Sequence, residues 1–174
     1  MVNPDIKILD NTFLRIAGAV PESIVDGPRY TVFTQGCPFR CEGCHNPQAQ
    51  SLNGGIEVKL SILYEEIKSD PLITGITFSG GEPFIQPAPL TIFAKILKDS
   101  GYNLWSYSGY TFDKLVNDKK KLALLEQLDV VVDGPFVMNK KSMMIDFRGS
   151  TNQRIIDVQA SLQAGKVILM PGFI

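Results

Sequence analysis

The stretch Gln35-Gly36-Cys37-Pro38-Phe39-Arg40-Cys41-Glu42-Gly43-Cys44-His45-Asn46-Pro47 decides how this chain is read. It carries all three cysteines and the single histidine of the 174-residue sequence. Three explanations compete for Cys37, Cys41 and Cys44. A disulfide framework fails, because the number is odd and the composition is not that of a short, cysteine-dense secreted domain. Structural zinc takes four closed ligands, usually as two short-spaced pairs, and only half of such a site is present. His45 completes it poorly, since adjacent side chains seldom point at one tetrahedral ion. An iron–sulfur cluster held at three of its corners fits better, because thiolates are the usual cluster ligands and one iron then stays open. An open position is what separates a catalytic metal site from a structural one.

Outward from this loop, strand and helix patterns alternate. Tyr30-Thr31-Val32-Phe33-Thr34 is a β-branched and aromatic run that leads straight into the cysteines. Residues 1–26 are ambiguous; Ile6, Ile8, Thr12, Leu14 and Ile16 alternate loosely, as in one or two short strands, before a turn at Asp26-Gly27-Pro28. Asn53-Gly54-Gly55 marks the far limit of the cysteine loop. Leu60, Leu63, Tyr64 and Ile67 then follow at the spacing of a half-buried helix. Gly75-Ile76-Thr77-Phe78-Ser79 is a second strand, followed by Gly80-Gly81-Glu82-Pro83. A helical face at Leu90, Phe93, Ala94 and Leu97 is closed by Gly101.

Asn103-Leu104-Trp105-Ser106-Tyr107 is a third strand, with its turn at Ser108-Gly109-Tyr110, and a helical region runs to about Gln127. Asp129-Val130-Val131-Val132-Asp133 is a fourth strand, and residues 154–158 and 166–170 are expected as further ones. The alternation indicates βαβ units and a mainly parallel sheet. Right-handed crossovers put the carboxyl ends of such strands on one edge, where the active sites of α/β proteins lie. A full eight-unit barrel takes about 250 residues, so this chain has room for about five or six units. The expected fold is α/β, a partial, open (βα)5–6 barrel, in a single domain over residues 1–174.

Composition is ordinary for a globular chain, at 44% hydrophobic and 20% charged residues. A net charge of −1 gives no basic excess for a nucleic-acid partner. Lys119-Lys120-Lys121, followed by Leu122, Leu124 and Leu125, reads as the solvated face of a helix. No run approaches the roughly 18 apolar residues of a membrane span, and the N-terminus lacks a signal pattern. A cytoplasmic chain with reduced thiols, touching neither membrane nor nucleic acid, is the expectation.

The spacing Cys-x3-Cys-x2-Cys resembles the signature of the radical S-adenosylmethionine (SAM) enzymes. Gly80-Gly81-Glu82, one βα unit later, resembles the segment with which that family receives the SAM methionine. The resemblance implies a [4Fe–4S] cluster on Cys37, Cys41 and Cys44, with SAM on its open iron. Ser79, Gly80, Gly81 and Glu82 would then meet the methionine end, the carbonyls and Glu82 accepting from its ammonium. Glycine without a Cβ suits such close approach, although two glycines after a strand are also a common turn. The family's aromatic adenine contact usually precedes the last cysteine; Gly43 stands there, which shifts that role to the backbone of Gly43-Cys44-His45.

Asp26-Gly27-Pro28-Arg29 together with the two motifs resembles the activating enzymes of glycyl-radical enzymes. Trp105–Tyr110, Val132–Phe136 and Phe147–Ile155 resemble, more narrowly, those that act on anaerobic ribonucleoside-triphosphate reductase. The chain departs from the pattern where a glycine usually separates Pro28 from Arg29, and where Gln48-Ala49-Gln50 replaces a common tryptophan. The resemblance implies that flavodoxin or ferredoxin reduces the cluster and that SAM then yields methionine and a 5′-deoxyadenosyl radical. That radical would take a hydrogen from a backbone glycine of the reductase large subunit. No catalytic nucleophile or acid–base pair stands out, and the chemistry rests on cofactors. Activation of another glycyl-radical enzyme such as pyruvate formate-lyase, a small-molecule radical SAM reaction and plain electron carriage are the alternatives. The segments 105–110 and 147–154 are expected beside the barrel's open side, away from the cysteines, or simply packing the last strands.

Overall fold

Side chains alternate across a strand, so one sheet can present an apolar face to helices and a different face to a site. The computed structural model describes residues 4–24 and 27–173, and its sheet is built on that principle. Seven strands run β1 (Phe13–Ile24), β2 (Gly27–Thr34), β3 (Ile56–Lys59), β4 (Gly75–Gly80), β5 (Asn103–Tyr107), β6 (Val130–Asp133) and β7 (Arg154–Asp157). Their spatial order is β3-β1-β2-β4-β5-β6-β7. The helices are α1 (Pro4–Asp10), α2 (Leu60–Ser69), α3 (Pro87–Asp99), α4 (Phe112–Val116), α5 (Lys119–Leu125) and α6 (Val158–Ala164).

Tyr30 and Val32 of β2, Ile76 and Phe78 of β4, Leu104 of β5 and Val131 of β6 point into the main core. They meet Leu63 and Ile67 of α2, Phe93 and Leu97 of α3, and Leu124 and Leu125 of α5. The residues between them, Arg29, Thr31, Phe33, Thr77, Ser79, Trp105 and Tyr107, line a cavity on the other face. Local chemistry sets the helix limits. Pro87 opens α3, where its missing N–H costs nothing, and Gly101 at φ +91° follows its end. Asp118 and Asp157 cap α5 and α6, their carboxylates accepting from the N–H groups of Lys120 and Ala160 at 3.0 and 2.9 Å.

The parallel core is smaller than expected. Only β2, β4, β5 and β6 run parallel; β1, β3 and β7 are antiparallel additions at the two sides. The connection from β6 to β7 contains one short 3-10 turn, Met138–Lys140, and no crossover helix, so the chain returns antiparallel. Residues 4–10, read as strand-like, form α1, with Leu9 fully buried; a window that short does not separate the two periods. Strand β3, only four residues long and with Ile56 64% exposed, is an addition to the expected elements. Residues 166–170 form no strand and touch β7 through a single bridge, Ile156 to Leu169. The region up to Gln127 splits into α4 and α5. The turn expected at Asp26-Gly27-Pro28 lies partly outside the described residues; Gly27 and Pro28 open β2. Among the described residues, no helix is long and apolar enough to cross a membrane.

Candidate functional site

Strands β2 and β4 are parallel neighbours, with Thr34 opposite Gly80, so the cysteine loop and the Gly81-Glu82 turn leave the sheet side by side. Backbone hydrogen bonds continue beyond the strands. Gly81 N–H donates to the Thr34 carbonyl at 2.7 Å and Glu82 N–H to that of Gly36 at 2.8 Å. The cysteine loop closes on itself where Gly36 and Cys37 donate to Ala49 and Gln50 at 2.7 and 3.0 Å. A Cβ on Gly81 would stand 2.2 Å from the Gly36 carbonyl oxygen. Glycine is required at position 81 by contact between the two loops, where the sequence had suggested approach to a ligand.

Cys37, Cys41, Cys44 and His45 line the cavity together with Ser79, Gly80, Gly81 and Glu82. Its volume of about 430 Å³ lies within the range of roughly 300–1,000 Å³ of small-molecule sites. Gly43 is not among the lining residues. It sits at φ +69°, and a Cβ there would lie 2.7 Å from the Met138 sulfur. The thiols are half-buried and free of disulfides. Burial pushes the Cys37 thiol up, the N–H groups of Phe39 and Arg40 oppose that rise, and the charges of Glu82 and Cys41 add to it. A metal ion reverses such a shift, because a coordinating thiol is held deprotonated. Among the described residues, no three His, Cys, Asp or Glu side chains are placed to hold a single ion. Three thiols lining one cavity fit the usual thiolate ligation of an iron–sulfur cluster.

Glu82 is 1% exposed and its carboxylate accepts three hydrogen bonds. One oxygen accepts from Phe84 N–H and the Ser108 hydroxyl, both at 3.0 Å, and the other from Gly109 N–H at 2.7 Å. Burial pushes its carboxyl up to about 7, against the pull of those donors and of Lys121. Glu82 is thus a tie between the loops after β4 and β5, and it stands at the cavity wall as well. The tie reaches the cysteines, since Phe39 packs edge-on against Tyr110 at 4.8 Å and leaves no room for a Cβ on Gly109.

The late segments stand at this same cavity, where the sequence placed them at a distance. Trp105, Tyr107, Phe147, Arg148 and Gly149 all line it, and a Cβ on Gly149 would come within 3.3 Å of the His45 ring. His45 also lies 5.1 Å from Phe136. Gln153 holds this wall in place; its side chain accepts from Gly149 N–H at 2.8 Å and donates to the Gly134 carbonyl at 3.0 Å. Arg154 pairs with buried Asp133, Nε to Oδ1 at 2.9 Å. Phe136, Arg148 and Gln153 were not singled out as site residues, although they belong to the segments that carried the narrow resemblance. Arg29 is 4% exposed and donates to Thr77 and Asn103 side chains at 2.9 Å each. Its guanidinium lies 5.3 Å from the Trp105 ring.

The fold and this cysteine-lined cavity define an iron–sulfur class of α/β protein: the model of the 4Fe-4S single cluster domain matches residues 25–156. The chain belongs to the family of the anaerobic ribonucleoside-triphosphate reductase-activating proteins. It is 32% identical to that protein of Vibrio cholerae over 152 residues, covering 78% of this chain and 92% of the relative. The protein of Haemophilus influenzae is 30% identical over 144 residues, 75% and 88% of the two chains. That of Escherichia coli K12 is 31% identical over 145 residues, 76% and 92%. Among solved structures, QueE from Escherichia coli shares the fold at a TM-score of 0.51 and 13% identity, over 64% of this chain and 59% of that one.

Proposed function

We propose that this chain is a radical SAM activase that installs a glycyl radical on anaerobic ribonucleoside-triphosphate reductase. One observation carries the reading. The three cysteines and the Gly80-Gly81-Glu82 turn, from neighbouring parallel strands, meet at a single cavity at the strands' carboxyl edge. Cys37, Cys41 and Cys44 would hold a [4Fe–4S] cluster. Ser79, Gly80, Gly81 and Glu82 would bound the methionine end of SAM, and the Gly43-Cys44-His45 side the adenine end. When bound, cluster and SAM supply the one-electron cleavage of the sulfonium that makes abstraction of a glycine hydrogen possible.

The protein's own part is to position and to shield. The Glu82 tie fixes the β4 and β5 loops against the cysteine loop, and Trp105, Phe136 and Phe147 keep one wall apolar, which excludes water from a reactive site. The polypeptide substrate is the reductase large subunit, the electron donor a flavodoxin or ferredoxin, and the setting the cytoplasm. The sheet is read as a partial, open barrel in one domain.

The test is anaerobic. Reconstituted protein, reductant and SAM are mixed with the reductase, 5′-deoxyadenosine is assayed, and electron paramagnetic resonance is recorded. Nucleoside formation with a glycyl doublet on the reductase is expected. A doublet on pyruvate formate-lyase alone would move the partner, and absence of 5′-deoxyadenosine would overturn the chemistry.

A further inference from the structure

A second depression, of about 560 Å³, opens at the amino end of the parallel strands, opposite the cysteines. Its rim places it there: Thr74 precedes β4, Asn103 opens β5 and Asp129 precedes β6. Arg29 and Trp105 line this space and the cavity alike, so one thin partition divides the two. Phe147 lines the cavity; Met170 and Phe173 line the depression. The rings of Trp105, Phe147 and Phe173 close an edge-on triad, with centroids 5.4, 5.5 and 5.8 Å apart. They pack with Val130, Val132 and Ile155 in an apolar cluster separate from the main core. The segment that brings Phe173 to this partition, residues 166–173, is lightly held. None of its residues is buried. Asp157 N–H donates to the Ile168 carbonyl and Met170 N–H to that of Ile155, both at 2.9 Å, and Ile168 N–H donates to the Ser161 hydroxyl at 2.8 Å. Gly165 precedes the segment and Gly172 lies near its end, at φ +65° and +87°, with nothing within 4 Å of where a Cβ would stand. A segment with so few buried groups opens locally, at less cost than global unfolding.

We infer that residues 166–173 form a hinged strap and that Phe173 is its stopper, shutting the amino-side end of the cavity. With the strap in place, the third ring completes the triad and the partition is closed. With the strap swung out on Gly165, only Arg29, Trp105 and Phe147 remain between the two spaces, and water or dioxygen passes into the cavity. Arg29 is fixed by its bonds to Thr77, Ile76 and Asn103, so the strap is the moving part. An oxidisable cluster gains from such a seal. That protective role rests on the function proposed above; the strap itself does not.

The test compares the protein with its Phe173→Ala and Leu169→Ser forms. Leu169 belongs to the strap but is 57% exposed and outside the triad. In metal-free protein, amide hydrogen exchange is expected to show the Met170 amide less protected than those of β4. Phe173→Ala should lower its protection a further fivefold or about that, while unchanged β4 amides show that the variant is folded. Met170 protected as fully as β4 would overturn the hinge. Broadening of the Phe147 ring signal by a soluble nitroxide, recorded by nuclear magnetic resonance, is expected to rise in Phe173→Ala alone. No rise, or an equal rise in Leu169→Ser, would overturn Phe173 as the stopper. After anaerobic cluster assembly and exposure to air, visible absorption is expected to decay faster in Phe173→Ala than in the unaltered protein. Equal decay would overturn the protective role. A cluster that never assembles in the unaltered protein would overturn the proposed function, while the exchange and nitroxide readings decide the strap by themselves.

Discussion

The two faces of strands β2, β4 and β5 are made from alternate residues of the same short segments, and they differ in kind. Toward the helices stand Tyr30, Val32, Ile76, Phe78 and Leu104, each 3% exposed or less, filling a continuous apolar core. Toward the cavity stand Arg29, Thr31, Thr77, Ser79 and Trp105, groups that hydrogen-bond, stack and leave space. A shift of one residue in register would exchange the faces. Stability and chemistry are therefore interleaved at single-residue spacing, and substitutions one position apart should fail in different ways.

The largest separation is expected at the cavity end. Replacing Cys37, Cys41 or Cys44 by alanine should abolish cluster binding, read as iron and sulfide content and visible absorption after anaerobic reconstitution. The stability of the metal-free protein should move by no more than about 0.5 kcal/mol, as for a substitution outside the core. Full cluster content in any one variant would break the assignment. On the opposite face, Phe78→Ala removes a fully buried ring and should cost about 3–5 kcal/mol in denaturant unfolding, with cluster content per folded molecule retained.

Gly81→Ala tests whether the faces are separable where the loops meet. Its Cβ would press on the Gly36 carbonyl, so a loss of about 1–3 kcal/mol is expected together with impaired cluster assembly. Weakened SAM binding with an intact cluster would show instead that this glycine serves the ligand.

The last comparison, read as a pH dependence, belongs to Glu82. Its carboxyl rises from 4.5 to about 7 in the folded protein, so the folded state holds a proton that the unfolded state has released. Its contribution to stability is complete below 4.5 and is lost as pH climbs through about 7. Unfolding of the metal-free protein across that window should show stability falling with pH, and Glu82→Gln should flatten that part of the slope. An identical slope in the variant would remove Glu82 as its cause.

Much of this was written in the sequence where pattern and chemistry coincide. β2, β4, β5 and β6 were legible because β-branched or aromatic runs end close to a glycine or at the cysteine loop, and α2 and α3 because their apolar residues keep helical spacing. The cysteines were legible because three thiols so close together have few uses. What the sequence hid depends on distant partners. Antiparallel β7 and half-exposed β3 carry no local mark of their direction or existence. The burial of Glu82 comes from Ser108 and Gly109, residues 26 and 27 positions away. Gly81 showed that a glycine was needed, while the reason, a carbonyl at Gly36, lies on another strand's loop. The placement of Phe147 and Gly149 beside His45 follows from the return of the chain after β6, which no periodicity announces.

Trp105 is the only tryptophan in the chain. It is 6% exposed, with the Arg29 guanidinium at 5.3 Å and the rings of Phe147 and Phe173 at 5.4 and 5.8 Å. All intrinsic tryptophan emission therefore originates at the cavity wall. A light-absorbing occupant of the cavity would quench it by energy transfer, and entry of a partner segment would change its colour. Filling, emptying and closure can then be followed in real time, in unmodified protein, from a single built-in lamp.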